Sequence, residues 1–296
     1  MQGWTVRFLD HLKSERRLSD HTSKNYRLDV NALYRYCRKE GLRDWRQVNN
    51  YHVLSFMARE HRGGLSPRSI QRRLSAVRTF FNYLIREKVI KVNPGVGVVA
   101  PQAPKRLPET LDTDRMAHLL QFEGHDPIIT RDRAVMELLY SSGLRLSELV
   151  SLNVGDVDLR DRTVRVLGKG NKTRVVPVGS YAVHALTEWL NNRDELAAPD
   201  QKAMFVSTRG NRLSPRSVQA RVRSWALKRG ITTKVHPHLF RHSFATHMLE
   251  SSGDLRAVQE LLGHADIRTT QIYTHLDFQH LARIYDESHP RARKRR

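Results

Sequence analysis

Six residues in the second half of the chain have the side-chain types that phosphoryl transfer needs when no metal ion takes part. They are Arg145, Lys169, His238, Arg241, His264 and Tyr273. A phosphodiester gains negative charge while a nucleophile attacks its phosphorus, so fixed cations must already surround it. Arginine suits this task because its planar fork stays charged and can grip two phosphate oxygens. Tyrosine can be the nucleophile, because a phosphotyrosyl ester retains the energy of the broken bond for religation. The pattern predicts that Arg145 and Arg241 form a phosphate clamp and that Tyr273 attacks.

The sequence around His238 and Arg241 predicts a helix that presents both side chains on one face. Pro237 suits the first position of a helix, and the two candidates are three residues apart, which separates them by about 60° around the helix axis. An apolar series with a period of four would anchor the other face: Phe240, Phe244 and Met248.

Two turns should position the other cationic candidates. Gly263 follows the apolar run 258–262 as a helix stop would, which leaves His264 on a fixed corner. Residues 163–167 and 173–176 are typical of strands, so Lys169 and Lys172 fall on the tip of a hairpin. A hairpin tip of this kind can reach into a DNA groove, and we expect Lys172 to contact DNA there.

The patterns predict a mainly α protein with a small antiparallel β-sheet, organised in two domains. Residues 93–108 contain four prolines and two glycines, which is typical of a linker. We therefore predict an N-terminal helical domain over residues 1–92 and a second domain over residues 109–296. Helices of the second domain are expected at 112–122, 128–140, 182–191, 217–228, 238–250, 255–262 and 267–275, and strands near 163–167, 173–178 and 203–207. The basic end, residues 291–296, is expected to be disordered.

The charge of the chain indicates a polyanionic partner. Lys and Arg number 51 against 30 Asp and Glu, a net charge of +21, which favours nucleic acid and says little about the fold. No apolar run approaches the ~18 residues of a membrane-spanning helix, and the first thirty residues are polar. Cys37 is the only cysteine, which excludes an internal disulfide. We expect a soluble cytoplasmic protein that associates with the nucleoid.

The segment 66–86 predicts an amphipathic helix in the more basic N-terminal domain. Its apolar stripe consists of Ile70, Leu74, Val77, Phe80, Phe81 and Leu84. Arg68, Arg72 and Arg73 mark the charged side, which either faces solvent or lies against DNA.

Each candidate also has a structural interpretation when it is taken alone. Arg145 could begin a helix and pair with Glu148, Lys169 could be an ordinary turn lysine, and the histidines and Tyr273 could pack in a core. Two roles stay open for Glu148, which either orients Arg145 or forms a plain surface salt bridge with it.

Together, the local sequences around the six candidates resemble the signature of the tyrosine recombinases. The likeness is carried by residues 143–148, 167–170, 237–242, 262–264 and 269–275, and the six candidates occur in family order. The resemblance runs almost end to end. It implies a helical core-binding domain and a catalytic domain that close as a clamp around DNA. It also implies that Lys169 protonates the leaving oxygen, that His238 and His264 handle the tyrosine proton or bind phosphate, and that no cofactor is needed.

Within this family, residues 242–256 and 274–281 are most similar to the Xer recombinases. This similarity implies a XerD-like partner in a cyclic heterotetramer on double-stranded DNA, at a dif-like site. It also implies that chromosome dimers are the substrate and that the FtsK translocase regulates the reaction. The apolar residues after the nucleophile are expected to dock on a neighbouring subunit, with packing on their own domain as the alternative: Leu276, Phe278, Leu281, Ile284 and Tyr285.

Other classes of protein share part of the pattern. A non-catalytic DNA-binding protein would have the charge and the helices, but it would not need Tyr273 in register with two arginines. A metal nuclease could use His236, His238, His242 and His247 as ligands, yet Arg241 among them would repel a cation, so no metal site is expected. No P-loop motif is present. A type IB topoisomerase shares the chemistry but has a different overall organisation.

Overall fold

The computed structural model describes residues 1–14, 20–102, 110–168, 173–263 and 275–292. It divides into two compact units, Met1–Arg106 and Leu107–Arg296. The first unit contains α1 (Gln2–Ser14), α2 (Asp20–Lys39), a short 3₁₀ turn (Trp45–Gln47), α3 (Asn50–Arg62) and α4 (Pro67–Arg86). In the described residues no helix is long and apolar enough to cross a membrane.

The core of the first unit forms around α4. The helix begins where Ser66 accepts a hydrogen bond from the Ser69 backbone N–H and Pro67 takes the first position. All six residues of the predicted apolar stripe are buried. Phe80 lies at the centre, with its ring 4.8 Å from Trp45 and 5.2 Å from Phe8, both in edge-on contact.

The start of the predicted linker packs against α4. The Arg78 guanidinium donates to the carbonyl oxygens of Gly95 at 2.9 Å and Val98 at 2.7 Å. Asn93 donates in turn to the carbonyl of Arg78 at 3.0 Å. These contacts hold residues 93–98 on the first unit, because they satisfy backbone groups that would otherwise need water.

The second unit is helical around a small sheet, which confirms the predicted fold class. Its elements are α5 (Thr113–Leu119), α6 (Pro127–Ser142), α7 (Leu146–Ser151), β1 (Val157–Asp158), β2 (Thr163–Leu167), β3 (Thr173–Pro177), α8 (Ser180–Arg193), α9 (Pro215–Lys228), α10 (Pro237–Ser252), α11 (Leu255–Leu262) and α12 (His275–Ser288).

Helix α6 is the central element of this unit, and most of its residues are buried. It carries two buried carboxylates, and each has a cationic partner. Asp132 accepts hydrogen bonds from Arg131, from Arg221 and from the indole N–H of Trp225, which ties α9 to α6. Because a buried charge is costly unless it is paired, these contacts fix the packing of the helices.

The sheet positions one charged side chain among apolar ones. Strands β1, β2 and β3 pair antiparallel in that order, with Val164 opposite Val176 and Val166 opposite Arg174. Side chains alternate between the two faces of a strand, and the buried positions of β3 include Arg174 and Val176. An arginine therefore lies on the inner face of the sheet.

The predicted strand at 203–207 is wrong. Only isolated bridges, Asn153 to Ala203 and Val206 to Arg212, occur there, and the third strand of the sheet is β1. Residues 203–206 are all buried rather than alternating, and side chains satisfy part of the backbone. The Trp189 indole donates to the Met204 carbonyl at 2.9 Å, and the Arg193 guanidinium donates to the Ala203 carbonyl. A continuous apolar run cannot by itself distinguish a strand from a buried irregular segment.

Candidate active site

Arg241 is buried on α10 and is oriented by two backbone carbonyls. The helix begins as predicted, with Pro237 at its first turn, and His236 is the N-cap, whose Nδ1 accepts from the Leu239 N–H at 3.1 Å. One turn later, Arg241 donates from Nη1 to the Gly143 carbonyl and from Nη2 to the Leu262 carbonyl, each at 2.7 Å.

Both acceptors lie at the C-terminal end of a helix. Gly143 and Gly263 adopt left-handed backbone angles, φ 55° and 64°, and end α6 and α11. The last carbonyls of a helix have no partner within it and carry the negative end of its dipole, so they attract a cation. Burial, followed by the charge of Arg145, lowers the pKa of Arg241 to about 10, and the guanidinium stays protonated at neutral pH.

Arg145 precedes α7 and is bound to Glu148 in two ways. Its backbone N–H donates to Glu148 Oε2 and its Nη1 to Oε1, both at 2.9 Å. Glu148 is only 3% exposed, so this is not a plain surface salt bridge. The Arg145 side chain keeps 35% of its surface exposed and can therefore still reach a ligand.

Arg174 is a second partner of Glu148 that sequence reasoning missed. From β3 it donates Nη1 to Glu148 Oε1 at 2.8 Å and Nη2 to Oε2 at 2.9 Å. This is the bidentate geometry in which an arginine and a carboxylate interact most strongly. Burial alone would raise the pKa of Glu148, but the hydrogen bonds and charge of Arg174, with those of Arg145, hold that pKa below its usual value. The alternation of side chains along a strand could have indicated that Arg174 is buried, because it places Arg174 on the same face as Val176.

His238 lies at the exposed start of α10, close to the two predicted clamp arginines. Partial burial and then the charges of His242, Arg241 and Arg145 lower its pKa from the usual value of 6.5. Neutral imidazole is therefore favoured at physiological pH, and it can accept a proton.

The described part of the site is an arrangement suited to binding an anion. Two guanidinium groups, those of Arg145 and Arg174, bind the Glu148 carboxylate, and that of Arg241 lies close enough to feel its charge, so positive charge is in excess. Two histidines of the metal alternative have other partners. His236 is occupied as a helix cap, and His247 is buried with its Nδ1 2.8 Å from the Tyr140 hydroxyl. Within the described ranges, no group of three or more metal-ligating side chains occurs.

Four of the predicted residues, Lys169, Lys172, His264 and Tyr273, lie outside the described residues. The elements that flank them are described. The ladder pair of Leu167 and Thr173 closes the hairpin that should carry Lys169 and Lys172. Gly263 ends α11 directly before His264, as predicted.

The three arginines predicted to contact DNA from α4 have different surroundings. Arg68 is exposed. Arg72 is partly exposed and pairs with the buried Asp29, from Nη2 to Oδ1 at 3.1 Å. Arg73 is mostly buried and forms ion pairs with both Asp29 and Glu60. Arg68 and Arg72 can thus reach a ligand more readily than Arg73.

The C-terminal segment packs on its own catalytic unit. Leu281, Tyr285, His289 and Ala292 are buried in the core of that unit. The Tyr285 hydroxyl lies 2.7 Å from Ser141 Oγ. Arg291 Nε donates to the buried Glu137 at 2.9 Å, and this counters the effect of burial, which raises the pKa of Glu137. Residues 291 and 292 are therefore ordered, which corrects the expectation that the basic end is disordered from residue 291.

Comparisons with known proteins agree with this fold. Residues 109–280 match the phage integrase family, and residues 6–88 match the family described as phage integrase, N-terminal SAM-like domain. The chain therefore belongs to the phage integrase family, and it is a site-specific recombinase of the tyrosine class.

The similar proteins narrow the resemblance further. The chain is 56% identical to tyrosine recombinase XerC of Pseudomonas syringae pv. tomato, over 96% of this chain and 95% of that protein. It is 52% identical to XerC of Shewanella amazonensis, over 99% and 98% of the two chains. These relatives confirm the resemblance to the Xer recombinases and, among them, to XerC.

Solved structures show the same fold. The post-cleavage complex of the XerH recombinase with a palindromic difH substrate has a TM-score of 0.72 and 25% identity, and it covers 95% of this chain and 84% of that one. A λ integrase dimer on a COC' core site has a TM-score of 0.69 at 19% identity, over 92% and 99% of the two chains, and supports the fold alone.

Proposed function

We propose that this chain cuts and rejoins strands of double-stranded DNA at a dif-like site through a 3′-phosphotyrosyl intermediate, with a XerD-type recombinase as partner. The products would be resolved chromosome dimers at cell division. The observation that carries the proposal is the cluster of three arginines with a single carboxylate: Arg145 and Arg174 bind Glu148, and Arg241 lies within reach of its charge. XerC relatives and a difH-bound structure of XerH support the finer assignment.

The cleavage step follows from the roles of these residues. The Tyr273 oxygen forms a bond to phosphorus, the bond from phosphorus to the 5′ oxygen breaks, and that oxygen keeps the electron pair and takes a proton from Lys169. The tyrosine proton passes to His238 or His264, and neutral His238 suits this role. Religation is the reverse, with a 5′ hydroxyl as the attacking group. A positioned acid contributes ~10²–10⁴-fold to such a step.

Arg145 and Arg241 stabilise the charge that develops on the non-bridging oxygens. Each is already oriented, Arg145 by Glu148 and Arg241 by two helix-terminal carbonyls. No reorganisation is therefore needed when the phosphate gains charge, and loss of one such donor typically costs ~10²–10³-fold in rate. We expect Arg145→Ala to slow cleavage by ~10²-fold while the affinity for duplex DNA changes much less.

DNA contacts outside the site would come from exposed cations. Arg68 and Arg72 are the described candidates, Lys172 is a further candidate outside the described residues, and Arg73 would act through the ion pairs that hold α4. For ~8 phosphate contacts, log K should fall against log salt with a slope of about −7.

The packing of the C-terminal segment on its own unit affects how the chain would assemble with its partner. In this chain, residues 281–292 pack on their own unit. A cyclic heterotetramer that exchanges this segment would have to break the contacts of Tyr285 with Ser141 and of Arg291 with Glu137. Control by a translocase of the FtsK type and association with the nucleoid belong to the same proposal.

A nicked dif DNA substrate tests the chemistry directly. Cleavage of a nicked strand releases a short fragment that cannot religate, so a covalent protein–DNA adduct accumulates on a denaturing gel. Tyr273→Phe should keep DNA binding and form no adduct, because only the nucleophilic oxygen is removed. Tyr51→Phe is the matched control, since Tyr51 is exposed on α3 of the first unit.

Two outcomes would contradict the proposal. Adduct formation by Tyr273→Phe would move the nucleophile elsewhere. Loss of cleavage in a chelator, with recovery on adding magnesium or zinc, would favour a metal nuclease. The dif assignment is tested by comparing that site with a scrambled one in the presence of a XerD-type recombinase, and equal yields on both would refute it.

A further inference from the structure

Arg174 lies where three elements that flank predicted catalytic residues meet. Its guanidinium, on β3, binds both oxygens of Glu148, and the same carboxylate binds Arg145 at the start of α7. Arg174 follows directly after the ladder pair of Leu167 and Thr173, which closes the hairpin. One side chain thus connects the base of the hairpin to the clamp.

The C-terminal end of α11 packs against the Arg174 side chain. A Cβ atom placed at Gly263 would lie 3.0 Å from Arg174 Nε, 3.1 Å from Cδ and 3.2 Å from Cζ. A side chain at residue 263 would therefore be crowded by Arg174, which would have to shift by a few tenths of an ångström. Packing this tight holds the planar group in one orientation.

The geometry leaves Arg174 unsuited to touch substrate. The side chain is 9% exposed, against 35% for Arg145, and both of its terminal nitrogens are used by Glu148. Its hydrogen bonds are also the main influence that lowers the pKa of Glu148. Arg174 and Glu148 thus form a buried ion pair, and Glu148 in turn binds Arg145.

We propose that Arg174 is a positioning residue, which fixes the β2–β3 hairpin, and with it Lys169, relative to Arg145. The inference rests on the proposed function, in which Lys169 protonates the leaving 5′ oxygen. The bidentate fork is the essential feature, because a single point of attachment would allow the hairpin to pivot about Glu148. A lysine at this position keeps the charge and loses the fork.

Arg174→Lys should therefore show a defect in proton donation and not in charge stabilisation. Adduct formation on an ordinary nicked substrate should slow by about tenfold or more, since misplacing a catalytic group by ~1 Å can cost up to ~10²-fold. On a substrate with a 5′-bridging sulfur, whose thiolate leaves without a proton, the rate should return to within about threefold of the unmodified protein, because the ~10²–10⁴-fold share of the acid is no longer needed.

The control and reference variants separate the possible causes. Arg165→Lys is the matched control, since Arg165 lies on β2 of the same hairpin and faces solvent; it should behave as the unmodified protein on both substrates. Lys169→Ala is the reference for loss of the acid. The double variant with Arg174→Lys should be no slower than Lys169→Ala alone, because both changes act on one step.

The outcomes distinguish this inference from the proposed function. If Lys169→Ala is rescued by sulfur but Arg174→Lys is equally slow on both substrates, or is not slow at all, Arg174 has no positioning role towards the acid. If Lys169→Ala itself is not rescued, the acid assignment fails and the role of Arg174 fails with it. Thermal unfolding of each variant checks folding. A lower melting temperature with equal rate losses on both substrates would mean that Arg174 serves stability alone.

Discussion

Gly143→Ala tests whether a helix end orients the buried arginine of the clamp. Gly143 has φ 55°, and a Cβ atom there would lie 2.5 Å from Phe244 Cδ1 and 3.1 Å from Leu262 Cδ2. Left-handed backbone costs an alanine roughly 1–2 kcal/mol. The clash adds about 1–3 kcal/mol, because Phe244 is fully buried and cannot move aside freely. The expected loss in the free energy of unfolding is therefore about 2–5 kcal/mol.

Gly253→Ala is the matched control for backbone strain. Gly253 ends α10 with φ 66°, and a Cβ atom there would meet nothing within 4 Å. It should lose only the roughly 1–2 kcal/mol of the backbone term. The difference between the two variants then isolates the packing term, about 1–3 kcal/mol. Urea unfolding followed by circular dichroism measures both.

The catalytic consequence follows from the Gly143 carbonyl, which accepts from Arg241 at 2.7 Å. A shift of this turn moves the guanidinium, so adduct formation by folded Gly143→Ala should fall about tenfold or more, while Gly253→Ala stays within about twofold. Equal stability losses in the two variants would refute the packing argument. Full activity of folded Gly143→Ala would show that the Gly143 carbonyl does not orient Arg241.

Three further predictions concern stability. The pKa of Glu148 is lowered in the folded chain, so its ionised form contributes to the free energy of unfolding above the usual pKa of 4.5, and this contribution is lost as pH falls through the folded pKa. The stability advantage over Glu148→Gln should therefore shrink on acidification. A difference that stays constant with pH would contradict this prediction. Asp132→Asn should cost about 3–5 kcal/mol in urea unfolding, whereas Asp194→Asn, at a carboxylate that is 91% exposed, should change it by less than about 0.5 kcal/mol; similar losses would contradict the buried pairing. Tyr285→Phe should cost about 1 kcal/mol through the lost contact with Ser141, and Tyr285→Ala about 3–5 kcal/mol; two small losses would mean that the segment is not docked in cis.

Local sequence signals predicted the ends of the helices and strands that flank the site. The start of α10 at Pro237, the end of α11 at Gly263 and the strands that flank Lys169 all lie where the patterns placed them. These features depend on residues within a few positions of each other, where capping and turn preferences act.

The contacts that assemble the site are long-range, and periodicity does not reveal them. Arg241 meets Gly143, which is 98 residues away in sequence, and Arg174 meets Glu148, which is 26 residues away. A pattern indicates that a side chain is buried but does not identify its partner. For the same reason, the apolar residues after Tyr273 predicted a docked segment without deciding where it docks. Tyr285 reaches Ser141, 144 residues earlier in its own chain.

The partners of the three arginines determine how much positive charge a phosphate would meet. Arg241 donates its hydrogen bonds to neutral carbonyls, and Glu148 acts on it as a nearby charge rather than as a hydrogen-bond partner. Glu148 carries one negative charge and binds two arginines, and the bidentate contact goes to the buried Arg174. Without Arg174, the carboxylate would neutralise Arg145 alone. The buried arginine therefore leaves the exposed one oriented and still cationic, which is the combination that transition-state stabilisation requires.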